Sequence, residues 1–91
     1  CRQAGKHDLD LWFVYILQSN KSKVLYKGLT NNLDRRVSQH LLGKNQTTKK
    51  MLPLKLLHVE ICKTRLEARN LEKFYKSGFG REILKEIAVI L

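Results

Sequence analysis

The chain is poor in the residues that interrupt or cross-link structure. One proline and five glycines in 91 residues are too few for a disordered or Pro/Gly-rich chain. The two cysteines, Cys1 and Cys62, form no CxxC pair, and neither lies near a histidine at zinc-ligand spacing. That argues against a disulfide framework and a structural zinc site, and fits a reducing, cytoplasmic setting. No apolar run approaches membrane-spanning length and the start shows no signal-peptide pattern, so no membrane partner is expected. Acid is scarce as well: 8 Asp+Glu stand against 18 Lys+Arg, a formal charge of +10. Paired-carboxylate catalysis therefore has few candidates, and P-loop, GxGxxG, GxSxG and HExxH motifs are all missing.

What is present is a small basic domain. A chain this short buries roughly 60–65% of its unfolded surface, enough for one core and not two. Its cations point to a polyanion, because Lys and Arg gain affinity by releasing counterions from phosphates. An anionic membrane is the weaker reading, since no basic helix carries a bulky aromatic face.

Residues 1–10 are polar and aperiodic and are expected to form a flexible tail, with residues 11–91 as the single domain. Leu11 to Gln18 is rich in aromatic and β-branched residues, a buried strand, and Val24 to Thr30 is a second one after a polar turn. A hairpin symmetric about Asn20 and Lys21 would place Tyr15 directly opposite Tyr26. Asn31 and Asn32 offer N-caps to a helix whose Leu33, Val37 and Leu41 form the buried stripe, with Arg36 and His40 beside it and Gly43 as the stop. Residues 44–53 read as a basic loop. Leu54 to Ile61 is a third strand, with Leu57, Val59 and Ile61 on one face. Thr64-Arg65-Leu66-Glu67 is a capping box opening a helix with Ala68, Leu71, Phe74 and Tyr75 inward. Gly78-Phe79-Gly80 is expected to break that helix before a last one, Arg81 to Leu91. The order β-β-α-β-α-α predicts an α+β fold: a three-stranded antiparallel sheet packed by helices.

Five side chains could handle a phosphate together: Tyr15, Tyr26, Arg36, His40 and Glu72. Each alone has an ordinary reading. The tyrosines are core aromatics, Arg36 a surface charge, His40 a complement to the helix dipole, and Glu72 an i,i+4 partner of Lys76. As a set they supply a cation to hold phosphate and a carboxylate to hold a metal.

The spaced motifs Tyr15-Ile16-Leu17, Tyr26-Lys27-Gly28-Leu29-Thr30 and Leu33-x-x-Arg36-x-x-x-His40 resemble the GIY-YIG nuclease domain. The likeness is to its small single-domain branch, related to the nuclease half of the excision-repair subunit UvrC. It extends through the basic stretch Lys44 to Leu54, Glu67-Ala68-Arg69-x-x-Glu72-Lys73 and Lys76 to Glu82, covering about residues 12–86. The resemblance implies a GIY-YIG-like fold and a metal-dependent endonuclease that hydrolyses DNA phosphodiesters with low sequence specificity, in repair or recombination, on branched or nicked DNA. Tyr15 and Tyr26 would be the catalytic phenols, one of them deprotonating the attacking water. Arg36 would hold the scissile phosphate, His40 would assist proton transfer, and Glu72 would bind one Mg²⁺ or Mn²⁺ ion. Gly28 would serve close backbone approach to helix or substrate, and Lys44, Lys49, Lys50 and Arg81 would contact the DNA backbone. The alternative is a non-catalytic nucleic-acid-binding domain of the same fold. Three departures stand out: Phe13-Val14 precede Tyr15 where glycine and isoleucine are usual, Lys27 replaces an apolar residue, and no asparagine follows Asn70. Strand alternation should turn Lys27 away from Tyr26.

Overall fold

The computed structural model describes residues 11–90; the expected N-terminal tail lies outside them. The elements are β1 (Trp12–Ser19), β2 (Leu25–Thr30), α1 (Leu33–Leu41), α2 (Gln46–Lys49), β3 (Leu54–Cys62), α3 (Arg65–Lys76) and α4 (Gly78–Ile90). The sheet is antiparallel in the order β2-β1-β3. The expected α+β architecture is present, with the short α2 added inside the basic loop.

Central β1 is buried continuously from Val14 to Ser19 because helical segments cover both faces of the sheet. On one face Val14 and Ile16 join Leu57, Ala68, Tyr75 and Leu84, where α3 and α4 pack. On the other, Tyr15, Leu17 and Leu54 are flanked by Tyr26, Leu33, Met51, Leu52 and Val59, beneath α1 and the α2 segment. The capping box forms as expected, Thr64 and Glu67 each satisfying the other's backbone N–H. Asn32 caps α1 by accepting from the Arg35 N–H.

Four expectations need correction. The hairpin pairs Tyr15 with Gly28 and Leu17 with Tyr26, a slip of two residues. Its turn is centred one residue later: the Ser19 hydroxyl accepts from the Lys21 and Ser22 amides, and Lys23 takes a left-handed φ of 66°. A slip of two preserves side-chain parity, so both rings still share a face. In β3, Ile16 pairs with His58 but Leu17 with Leu56, leaving Leu57 as an extra residue. That bulge reverses the alternation, sending Leu57 to the α3/α4 face while Val59 packs near Tyr15. In α1 Leu33 and Val37 pack inward as expected and His40 is buried with them, whereas Leu41 is 46% exposed. Finally, the break between the last helices falls at Ser77, not at Gly-Phe-Gly. Ser77 ends α3 and its hydroxyl accepts from Gly80 N–H, so α4 begins at Gly78. Gly80 serves the crossing: a Cβ there would sit 2.7 Å from the Phe74 carbonyl carbon and the Tyr75 Cα.

Candidate active site

The site forms where the middle of β1 meets α1. Tyr15 points from β1 toward the helix, and its ring lies over Gly28 on the neighbouring strand. A Cβ at position 28 would come within 2.5 Å of the phenol's Cζ, so the space over Gly28 belongs to the Tyr15 ring. The close approach that this glycine permits in the folded chain is to the Tyr15 ring.

Two residues one helical turn apart on α1 meet this phenol. His40 is fully buried, with Nε2 3.0 Å from Tyr15 Oη and Nδ1 2.7 Å from Thr48 Oγ1. Arg36 is half-buried and donates from Nε to Tyr15 Oη at 3.4 Å, with a second 3.4 Å bond to Gln39. Tyr26 completes the group. Its ring centroid lies 5.1 Å from that of His40 and 6.4 Å from that of Tyr15. The ring is half-buried, whereas Tyr15 is 1% exposed. The four residues Tyr15, Tyr26, Arg36 and His40 are thus brought together.

Burial sets their charge. Desolvation pushes the Tyr15 phenol above its usual pKa of 10, against the Arg36 hydrogen bond, while Tyr26 and Glu72 add to the rise. A nearby cation lowers a tyrosine's proton affinity. Arg36 does act in that direction at Tyr15, but burial outweighs it, and Tyr15 rests as a neutral phenol. Desolvation and then Arg36 lower the pKa of His40, keeping its imidazole neutral. Arg36 itself is held more firmly cationic by its bond to Tyr15.

Glu72 comes from α3, across the sheet. Its carboxylate is 3.5 Å from Lys76 Nζ, so the ordinary i,i+4 pair also exists. Lys76 is largely exposed, and such a pair contributes little and leaves the carboxylate available. Glu72 is 15% exposed and near enough to Tyr15 to be felt by its phenol. Among the described residues no three His, Cys, Asp or Glu side chains converge. A cation there would take Glu72 as its protein carboxylate.

The expected backbone contacts divide between two sides. Lys44, Lys49 and Lys50 are exposed around α2, on the side of the sheet that carries the phenols. Arg81 is exposed in the first turn of α4 and lines a cleft of about 290 Å³ with Lys23, Lys27 and Lys85. As expected, Lys27 turns away from Tyr26. It is not idle there, since burial and then Arg81 and Lys76 push its ammonium below its usual pKa.

Sequence reasoning missed Thr48. It is fully buried in the one-turn α2, whose N-cap Asn45 accepts from the Thr47 and Thr48 amides at 2.9 and 3.1 Å. One polar turn has no periodicity to betray it; Asn45 was the only available signal.

The catalytic-domain family named GIY-YIG matches residues 11–85. The chain belongs to the GIY-YIG family. It is 35% identical over 74 residues to a UPF0213 protein of Desulfotalea psychrophila, covering 79% of this chain and 66% of that one. A UPF0213 protein of Nitratidesulfovibrio vulgaris is 39% identical over 69 residues, covering 75% and 61%. One from Haloquadratum walsbyi is 34% identical over 80 residues, covering 87% and 88%. This GIY-YIG chain therefore spans slightly under two thirds of the first two relatives. No solved structure matches it. Among the described residues no helix is long and apolar enough to cross a membrane.

Proposed function

We propose that this chain is a metal-dependent endonuclease that hydrolyses DNA phosphodiester bonds with little sequence preference. The observation that carries the reading is the convergence of two phenols, a guanidinium and a neutral imidazole from β1, β2 and α1, with one carboxylate behind them.

Hydrolysis needs water to lose a proton, phosphorus to gain that oxygen, and the bond to the leaving sugar oxygen to break. Arg36 presents its guanidinium to the scissile phosphate and neutralises the charge that develops there. Tyr26 is the more accessible phenol, and its ring lies beside that of Tyr15, to which Arg36 donates. In its phenolate form it takes the proton from water, with the guanidinium offsetting the charge. Tyr15, sealed inside, and His40 hold Arg36 in place. Glu72 would hold one Mg²⁺ or Mn²⁺ ion, which would supply Lewis-acid help to the leaving oxygen. Lys44, Lys49, Lys50 and Arg81 grip backbone phosphates, contacts that carry affinity without sequence information. Weak sequence preference on nicked or branched substrates suits repair or recombination.

The test is incubation with plasmid and with flapped or branched DNA, in Mg²⁺, Mn²⁺ or EDTA, for wild type and Glu72→Ala. Nicking that needs metal and is lost in the variant supports the reading. A protein that binds DNA but nicks nothing under any metal is the non-catalytic binding domain instead.

A further inference from the structure

The hydrogen bonds beneath the guanidinium form one directed chain. Arg36 Nε–H can only donate, so Tyr15 Oη accepts from it. The phenol's own hydrogen then needs an acceptor, and among the described residues the one in reach is His40 Nε2, at 3.0 Å. An imidazole that accepts at Nε2 and is neutral carries its proton on Nδ1, and Nδ1 faces Thr48 Oγ1 at 2.7 Å. Every bond therefore points the same way, from Arg36 through Tyr15 and His40 to Thr48. The other tautomer would turn an N–H of His40 onto the Tyr15 oxygen. It would compete there with Arg36 and leave the phenol's hydrogen without an acceptor.

We propose that Thr48 is a positioning residue of the nuclease centre: its hydroxyl, anchored by the α2 turn, fixes the Nδ1–H tautomer of His40 and so directs Tyr15 Oη to hold Arg36 against the scissile phosphate. Its importance for cleavage rests on the endonuclease reading; its effect on the tautomer does not. Thr48 suits the task because it is immobile. It is fully buried, and its own N–H is tied to the Asn45 side chain at 3.1 Å. The groups that face the His40 ring are Tyr15 from β1, Tyr26 from β2, Arg36 on its own helix and Thr48 from α2. None of them is a carboxylate that could take over the role of Thr48 by charge.

The tautomer is read directly from the imidazole ¹⁵N shifts of the unliganded wild type, which should show a protonated Nδ1 and an unprotonated Nε2 for His40. Thr48→Val, which keeps the side chain's shape but cannot accept, should shift His40 toward the Nε2–H form. It should lower kcat for DNA nicking by about 10–100-fold while moving KM less than about threefold. Thr48→Ser restores the acceptor and should recover the wild-type shifts and a rate within about threefold of wild type. An Nε2–H tautomer in the wild type overturns the proposal, and this measurement needs no variant to fold. So does a Thr48→Val protein with unchanged shifts and rate, or a folded Thr48→Ser as impaired as the valine variant. If the shifts follow Thr48 but no form of the protein nicks DNA, the positioning stands and the nuclease reading fails.

Discussion

The two faces of the sheet are buried by different kinds of side chain. The α3/α4 face is sealed by Val14, Ile16, Leu57, Ala68, Tyr75 and Leu84, mostly apolar groups that ask nothing of their neighbours but shape. The α1/α2 face buries Tyr15, His40 and Thr48, each of which must be paired with a particular atom. Such a network contributes less to stability than the same volume of hydrocarbon, and it fixes side-chain directions that hydrocarbon cannot. One face is packed hydrocarbon; the other holds the candidate site.

The sharpest way to break this contrast is to mutate one residue on each face. Arg36→Ala should lower cleavage by about 10²–10³-fold, the usual loss when one stabilising donor is removed, with almost no change in the urea midpoint. Tyr15→Phe should also reduce cleavage strongly. It leaves Arg36 Nε and the buried His40 Nε2 short of a partner and should lower stability by about 1–3 kcal/mol. Leu84→Ala, at a fully buried position on α4, should do the reverse. It should cost about 2–5 kcal/mol of stability, while the protein that remains folded cleaves at the wild-type rate. A Leu84→Ala variant that is stable but inactive would remove the distinction between the faces.

The same contrast explains what was legible in the sequence. The apolar face is written in patterns: the β1 run, the Thr64–Glu67 capping box and Ala68, Leu71 and Tyr75 of the α3 stripe survive in the structure, while Phe74, expected inward, is 37% exposed. Parity along β1 and β2 also sufficed to put both tyrosines on one face, and a four-residue spacing joined Arg36 to His40. The illegible parts depend on single atoms. The hairpin slip turns on one serine hydroxyl and the left-handed Lys23. The flip of Leu57 turns on one unpaired residue. Thr48 looked like part of a solvated loop because nothing local says that a distant imidazole needs its oxygen.

A smaller effect follows from burying a neutral histidine. The folded pKa of His40 lies below the ordinary 6.5, through desolvation and then Arg36. Above pH 6.5 neither the folded nor the unfolded chain protonates it, and its contribution to stability is fully present. As pH falls below 6.5 the unfolded chain takes the proton first, and stability declines until the folded pKa is passed. Urea unfolding of wild type between pH 7.5 and 5 should therefore lose stability faster than His40→Gln, and the two slopes should agree above pH 7. Equal slopes throughout would mean that the imidazole is not held neutral.

The smallest effect concerns the basic surfaces, which divide between the same two faces. Lys49 and Lys50 flank the site beside α2, whereas Lys27 and Arg81 border the cleft at the β2 edge. A duplex lying along the α1/α2 face should release counterions mainly from contacts with the first pair. The double variant Lys49→Ala/Lys50→Ala should then reduce the slope of log Kd against log salt by about 2, near 0.9 for each lost phosphate contact. Lys27→Ala/Arg81→Ala should change that slope by less than about 1 on linear duplex. If the order is reversed, the nucleic acid runs over the β2 edge and α4. Lys49 and Lys50 would then not be its main phosphate contacts, and the backbone track would lie along Lys27, Arg81 and Lys85.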